Sequence, residues 1–186
     1  MEPLPTYYYS NLYMFTNKGN KISKNVNLRG TAQIIIEGKA VMQSGVSIRG
    51  DLGTVNMGLY VTLREEVIIR PSYNKKKGKL RYEATMIGSN VYIDKGSVVQ
   101  AASIGSNVII GKNCIIGQRC ILKDNCRIQD GSVLAPDTVV PPYTVFGGQP
   151  ATYLGELPES TQQVHADFCK TYYKNFIGIN PQENNP

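Results

Sequence analysis

Three cysteines recur at intervals of six residues, Cys114, Cys120 and Cys126, in the segment IGKNCIIGQRCILKDNC. Thiols can bind zinc, form disulfides or fill small buried sites. The segment lacks the short CxxC spacing of structural zinc sites. Across a strand and a corner, cysteines six residues apart should have Cα atoms roughly 10 Å apart, beyond the reach of about 7 Å that a disulfide allows. We interpret the three cysteines as structural residues in small inward slots, with an internal trigonal thiolate site as the alternative.

The chain has one histidine, His165, in a segment predicted to be helical. Histidine is the most frequent general base in enzymes, and catalytic zinc sites commonly use two or three histidines. A single histidine on a helix is most often a surface or packing residue. We therefore predict no catalytic residue, no metal site and no cofactor, and we expect a protein that is not an enzyme.

A row of bulky apolar residues positions the cysteines, because it repeats with the same period of six: Ile104, Ile110, Ile116, Leu122, Ile128, Leu134, Val140 and Phe146. Neither the helix period of 3.6 nor the strand period of 2 selects a six-residue repeat with one bulky and one small slot. Hexapeptide periodicity is typical of a parallel β-helix, in which three hexads form a triangular coil and stacked coils share one core. The sequence therefore predicts an all-β fold.

The repeat continues upstream with interruptions, in three shorter rows: Ile36, Met42 and Ile48; Met57, Leu63 and Ile69; Ile87, Ile93 and Val99. These rows predict a β-helix at residues 26–150 with about six to seven coils. Residues 1–25 are predicted to form an aromatic-rich segment and cap. Residues 151–186 are predicted to hold a linker, one amphipathic α-helix at about 160–177 and a disordered tail.

The net charge of +6 is concentrated in one interruption of the repeat, at residues 71–85. Against Glu83 alone, this stretch carries five cations: Lys75, Lys76, Lys77, Lys79 and Arg81. We predict a protruding basic loop that is a candidate binding site for an acidic partner, with a solvated loop as the alternative. Nucleic acid is not expected as a partner, because one short patch provides few phosphate contacts.

Aromatic residues precede the first hexads: Tyr7, Tyr8, Tyr9, Tyr13 and Phe15. The terminal coil of a β-helix exposes unpaired strand edges, which something must cover. We interpret these aromatic residues as a lid over the first coil, a subunit contact, or both.

Four apolar residues recur at steps of four near the other end, at Val164, Phe168, Tyr172 and Phe176. Together with a capping box at Ser160 and Gln163, they predict an amphipathic helix with one apolar stripe. We expect this helix to lie along the outside of the β-helix, with a partner-binding helix as the alternative.

The composition predicts a soluble intracellular protein. The segment MEPLPTYYYS does not have the apolar run of a signal peptide, and the chain has no run of eighteen apolar residues. Four cysteines in such a chain are typical of reduced cytosolic thiols. We expect no integral membrane segment.

The segment GGQPA at Gly147–Ala151 closes the repeats, and IRGD at Ile48–Asp51 lies within them. Both resemble the hexapeptide-repeat superfamily that contains acyltransferases and gamma-class carbonic anhydrases. This resemblance implies that the coil is left-handed. The enzymes of the superfamily depend on histidines that this chain lacks, so a related enzyme with unorthodox ligands is only the alternative interpretation.

Further motifs narrow the resemblance: GNKIS at 19–23, VIIRP at 67–71, GKNCIIGQRCILKD at 111–124, VVPPYTVFGGQP at 139–150 and GELPE at 155–159. Over about residues 7–177 the chain resembles the dynactin subunit 5 family. The resemblance implies a non-enzymatic structural subunit of the dynactin pointed-end complex, in the cytoplasm and on the cytoskeleton, which supports dynein-driven transport on microtubules. It also implies partners: dynactin subunit 6 in a heterodimer, dynactin subunit 4, the pointed-end actin-related protein and cargo adaptors.

Overall fold

The computed structural model describes residues 2–181 of the chain. It has one α-helix, α1 (Thr161–Asn175), and two short 3-10 turns at Ser10–Leu12 and Thr31–Gln33. Its strands in chain order are β1 (Thr6–Tyr9), β2 (Tyr13–Phe15), β3 (Lys21–Ser23), β4 (Asn27–Arg29), β5 (Ile34–Gly38), β6 (Val41–Met42), β7 (Ser47–Arg49), β8 (Val55–Leu59), β9 (Thr62–Leu63), β10 (Ile68–Ile69), β11 (Tyr73–Lys76), β12 (Lys79–Tyr82), β13 (Thr85–Ile87), β14 (Tyr92–Ile93), β15 (Val98–Val99), β16 (Ser103–Ile104), β17 (Ile109–Ile110), β18 (Ile115–Ile116), β19 (Ile121–Leu122), β20 (Arg127–Ile128), β21 (Val133–Leu134), β22 (Val139–Val140), β23 (Thr144–Gly148), β24 (Ala151–Glu156) and β25 (Phe176–Ile179).

Three sheets form the faces of a triangular β-helix. One sheet has the order β21-β18-β15-β10-β7-β4, a second β22-β19-β16-β13-β8-β5, and a third β2-β3-β6-β9-β14-β17-β20-β23-β24. From β3 to β22 the chain visits the three faces in turn, which makes six complete coils before β23. The prediction of an all-β hexapeptide β-helix with one C-terminal helix is confirmed.

The bulky row of the sequence forms the core. Ile104 lies beside Leu122, and Leu122 beside Val140, in parallel register from coil to coil. All eight residues of the row are buried in one cluster. Each buried aliphatic side chain contributes roughly 1.5–3 kcal/mol, so the stacked rows are the main stabilising contribution to the fold.

Asparagine ladders shape one corner of the coil. Asn90, Asn107 and Asn125 have left-handed backbone conformations with φ of 55°, 57° and 60°, which asparagine tolerates better than most residues. The side chain of Asn90 donates to Asn107, and that of Asn107 to Asn125, each at 3.0 Å. The ladder pairs amide groups at positions where the chain must turn sharply, and within residues 2–181 the Oδ1 atom of Asn90 has no hydrogen-bond partner.

The observed boundaries differ from the predicted ones at both ends. The first coil begins with β3 at Lys21, within the stretch predicted to be a cap, because Ile22 faces inward and pairs with Met42. At the other end, residues 176–179 form β25 and not helix or disordered tail, because they pair with β1. The remainder of the predicted tail, residues 182–186, lies outside the described residues.

Helix α1 packs on the outer surface of the nine-stranded sheet, as one of the two interpretations expected. Its buried residues include Cys169 and Tyr172, which contact Tyr92 and Ile109 in a second apolar cluster. The predicted stripe was wrong at Val164, which is 49% exposed, since His165 occupies the buried position in that turn. The predicted capping box is also wrong, because Ser160 makes no side-chain capping bond.

The N-terminal segment covers part of the first coil. β2 pairs antiparallel with β3 at the edge of the nine-stranded sheet, and β1 pairs in parallel with β25. Tyr8 stacks on Phe176 with ring centroids 4.3 Å apart, and Tyr13 packs beside them. Tyr7, Tyr9 and Phe15 are mostly exposed, although the ring of Phe15 lies 6.3 Å from that of Tyr8, so Tyr8 and Tyr13 form the more buried part of the lid. A subunit contact through the exposed aromatics stays a prediction.

Candidate functional site

The structure places the three cysteine side chains inside the coil. Cys114, Cys120 and Cys126 lie directly before β18, β19 and β20, and all three are fully buried in the main core. All three are free thiols. Among residues 2–181 no group of three or more histidine, cysteine or acidic residues is arranged to hold a metal ion. Their arrangement is that of residues that fill small slots.

The environment of these thiols favours the protonated form. Burial raises the pKa of all three thiols, and it raises that of Cys126 to about 12. The Sγ atom of Cys114 lies 3.0 Å from the carbonyl oxygen of Gln129, and that of Cys120 lies 3.1 Å from the carbonyl oxygen of Ala135. The reactive thiolate is therefore disfavoured where a ligand or nucleophile would need it.

The predicted basic loop is a β-hairpin. β11 and β12 pair antiparallel, with Tyr73 opposite Tyr82 and Lys76 opposite Lys79. The chain reverses through Lys77 and Gly78, which have φ of 49° and 76°, as a two-residue type I′ turn requires. The sequence reading missed this element because lysines are depleted in strands and the segment has no alternating apolar pattern.

The base of the hairpin is fixed to a corner two coils further along the β-helix, between β18 and β19. The amide of Tyr73 donates to the side chain of Gln118 at 3.0 Å, and Arg119 donates from Nη1 to the carbonyl of Tyr73 at 3.0 Å. Arg119 also forms a two-pronged ion pair with Asp137, with both N···O distances 2.7 Å, and this pair holds the pKa of Asp137 below its usual range. A bidentate pair orients the guanidinium, so the hairpin leaves the coil in a defined direction.

All five predicted partner-binding cations lie on this hairpin. Lys76, Lys77, Lys79 and Arg81 line one open cavity of about 580 Å³. Lys75 lies on the opposite face, since residues alternate between faces along a strand. All five are exposed, and within residues 2–181 none of them takes part in a salt bridge. The structure thus brings four cations together and separates the fifth.

His165 is a packing residue in this structure. It is buried under α1, and its Nδ1–H donates to the carbonyl oxygen of Asn107 at 2.8 Å. Burial lowers the pKa of His165, Arg127 lowers it further, and the carbonyl of Asn107 opposes both. The imidazole is accordingly neutral near pH 7 and has no catalytic geometry.

A polar network under α1 was not predicted from the sequence. Arg64 donates from Nε to Gln43 at 3.1 Å and to Glu65 at 3.0 Å, and from Nη1 to the hydroxyl of Tyr92 at 2.8 Å. Gln43 in turn donates to the hydroxyl of Tyr172 at 2.6 Å. Gln43 follows β6, Arg64 and Glu65 follow β9, Tyr92 lies on β14 and Tyr172 on α1. No local spacing in the sequence indicates that these residues meet.

A second unpredicted contact fixes the C-terminal end of the helix. Lys21 donates from Nζ to the carbonyl oxygens of Tyr173 and Phe176 at 2.8 and 2.7 Å. A cation at this position also interacts favourably with the helix dipole. Burial, with a smaller effect from Lys39, lowers the pKa of Lys21. Helix α1 is therefore held by bonds at both its middle and its end.

Comparison with known proteins gives a sequence match across the chain. The family model described as Dynactin subunit 5 matches residues 1–181. A curated protein named Dynactin subunit 5 from Dictyostelium discoideum is 49% identical over 181 residues, which is 97% of this chain and 91% of that protein. The chain belongs to the dynactin subunit 5 family. It is thereby a dynactin subunit by family membership.

Solved structures match the fold of this dynactin subunit at low identity. A hexapeptide transferase family protein from Anaplasma phagocytophilum has a TM-score of 0.65 and 19% identity, covering 86% of this chain and 92% of that one. AntD, an N-acyltransferase from Bacillus cereus in complex with dTDP and 3-hydroxybutyryl-CoA, has a TM-score of 0.67 and 13% identity, covering 87% and 92%. At such identity the likeness extends to the fold alone.

The length and polarity of α1 bear on the expectation that the chain has no integral membrane segment. Within residues 2–181, α1 is the one α-helix, and it is too short and too polar to cross a membrane.

Proposed function

We propose that this dynactin subunit is a non-enzymatic structural member of the pointed-end complex. In this role it supports dynein-driven transport on microtubules in the cytoplasm, as part of the cytoskeleton, and helps the complex engage cargo or its adaptors. The proposed partners are dynactin subunit 6 in a heterodimer, dynactin subunit 4 and the pointed-end actin-related protein. The observation that supports this proposal is the 49% identity to Dynactin subunit 5 along nearly the whole chain.

The chemistry of the described residues supports a structural role. The one histidine is buried against a backbone carbonyl, and the thiols of Cys114, Cys120 and Cys126 have raised pKa values inside the core. A general base needs access to its substrate and a pKa near the operating pH. In contrast, the coil presents three sheet faces and an anchored hairpin, which are features suited to assembly.

Co-expression with dynactin subunit 6 tests the assembly role. We expect the two chains to co-elute from a size-exclusion column as a stable heterodimer. The matched control is co-expression with AntD, which has the same fold and should not co-elute. Separate elution of subunit 6 and this chain, with each one folded, would contradict the proposal.

The alternative is an enzyme of the carbonic-anhydrase or acyltransferase type with unorthodox ligands, and the structural likeness to acyltransferases is the observation that favours it. Elemental analysis of the purified chain tests the metal version. Stoichiometric zinc that disappears in Cys120→Ser would support the enzyme, whereas we expect no bound zinc in either protein.

A further inference from the structure

The hairpin formed by β11 and β12 has two strand edges: the one along β11 is partly occupied, and the one along β12 is free. The amide of Glu83 donates to the carbonyl of Ser72 at 2.8 Å. Because bonded and non-bonded pairs alternate in an antiparallel ladder, the backbone groups of four residues point away from the hairpin axis: Tyr73, Lys75, Leu80 and Tyr82. On β11, Gln118 and Arg119 occupy those of Tyr73, whereas those of Lys75 have no hydrogen-bond partner among residues 2–181. Along β12, the corresponding groups of Leu80 and Tyr82 have no hydrogen-bond partner among residues 2–181.

The side chains beside the free edge differ in polarity between the two faces of the hairpin. Lys79 and Arg81 of β12 face the same side as Lys76, and together with Lys77 they line the open cavity. On the other side Leu80 is 51% exposed beside Tyr82. A ligand along β12 would therefore meet cations on one face and Leu80 and Tyr82 on the other, where Lys75 lies across from Leu80.

We propose that the hairpin binds an acidic peptide segment in extended conformation, which adds as a third strand along β12. The partner's backbone would pair with the outward groups of Leu80 and Tyr82. Its alternate carboxylates would contact Lys76, Lys79 and Arg81, while the intervening side chains pack on the Leu80 face. This is strand addition, in which backbone bonds give affinity and alternate side chains give specificity. The four-residue strand spans about 14 Å, enough for a short motif.

Other anionic partners fit these observations less well. The turn at Lys77 and Gly78 has no apolar side chain to insert into a membrane. The rings of Tyr73 and Tyr82 pack edge to face, 6.0 Å apart, so they do not offer two open faces on which bases could stack. Only a peptide can use the free backbone edge and the cations together.

The inference goes beyond the proposed place in dynactin and does not depend on it. Assembly is measured by co-elution with subunit 6, whereas the hairpin is tested on the chain alone with a synthetic probe. Failure of peptide binding would leave the assembly proposal unchanged, and the reverse also holds.

The probe is a short fluorescein-labelled peptide of alternating Glu and Val, with binding to the full chain followed by fluorescence anisotropy. We expect saturable binding that weakens as salt rises. The triple variant Lys76→Glu, Lys79→Glu and Arg81→Glu should reduce affinity by at least about tenfold, since each exposed charge pair contributes a few-fold. Lys75→Glu, on the opposite face, should change affinity by no more than about twofold.

The matched control carries the same change in charge at three exposed lysines elsewhere: Lys24→Glu, Lys95→Glu and Lys123→Glu. It should retain binding. A second probe with alternate backbone amides N-methylated keeps the charges but cannot pair as a strand, and it should bind at least about tenfold more weakly, since several edge hydrogen bonds are lost.

Four results would overturn the inference. The first three are no binding of the acidic peptide, an equal loss of affinity in the matched control, and equal binding of the N-methylated probe. The fourth is displacement of the peptide by phosphatidylserine vesicles or single-stranded RNA, if either binds the chain more tightly than the peptide does. Circular dichroism of every variant verifies that the β-helix remains folded.

Discussion

Substitutions at Cys120 should change stability according to the volume of the new side chain. Cys120 is fully buried, and Val67, Val91 and Val108 fill corresponding slots elsewhere in the β-helix. Cys120→Ala should lower the free energy of unfolding by about 1 kcal/mol through lost contacts and a small cavity. Cys120→Ser should cost about as much, because a hydroxyl can donate to the carbonyl of Ala135, 3.1 Å from the present sulfur.

Substitution of Cys120 by larger residues distinguishes a packing role of the side chain from a chemical role of the thiol. Cys120→Val should stay within about 0.5 kcal/mol of the parent protein, whereas Cys120→Leu should cost about 1–3 kcal/mol because it overfills the coil. Urea unfolding measures the differences, and each 1 kcal/mol should shift Tm by about 2–4 °C for a chain of this size. None of the folded variants should lose binding to subunit 6.

The exposed residue Lys123, in the same coil, provides the control, and Lys123→Ala should change stability by less than about 0.5 kcal/mol. If Cys120→Leu proved as stable as Cys120→Val, the interpretation of Cys120 as the occupant of a small slot would be wrong. A loss in Cys120→Ser several times larger than in Cys120→Ala would instead indicate a role for the sulfur itself.

Three other predictions concern the packing of α1. Tyr172→Phe leaves the amide of Gln43 without its acceptor and should cost about 1–3 kcal/mol in urea unfolding, whereas Val164→Ala at an exposed position should cost less than about 0.5 kcal/mol. Lys21→Met removes two charged hydrogen bonds to the helix end and should accelerate amide hydrogen exchange in the last turn of α1; unchanged exchange would contradict this role. Since the folded pKa of His165 is lowered, stability should be complete above the unfolded value of about 6.5 and should fall as pH drops below it; thermal unfolding between pH 7.5 and about 5.5 should show a shallower fall in His165→Gln.

The core could be predicted from the sequence because each β-helix strand presents one inward residue to a continuous stack. The period of six survives wherever corners have constant length, as from Ile104 to Phe146, where every bulky residue is buried. It fails where the corner grows. In the first coil Leu28 is followed by a 3-10 turn before Ile34 and Ile36, so the six-residue period alone places Lys21–Ser23 in the cap and not in the coil.

The packing of α1 could not be predicted in the same way, because its buried face is chosen by the surface under it. A polar residue, His165, is buried since Asn107 offers a carbonyl at 2.8 Å, while the more apolar Val164 is exposed. The network of Gln43, Arg64 and Tyr172 likewise joins segments with no sequence relation. Hydrophobic periodicity distinguishes side chains by their polarity and contains no information about the partners that they meet in the folded chain.

The anchoring of the hairpin shows where sequence spacing could have been informative and where it could not. Arg119 and Asp137 are eighteen residues apart, as are Lys112 and Asp130, and both pairs form ion pairs. Eighteen residues is one coil, so such pairs lie at the same corner in adjacent coils, about 4.8 Å apart along the axis. Opposite charges at this spacing therefore predict contacts in any regular stretch of the β-helix.

The bond from Arg119 to Tyr73 spans 46 residues and includes the excursion of the hairpin, whose length is independent of the coil. Only the folded chain reveals that the same arginine both joins two coils and holds the hairpin.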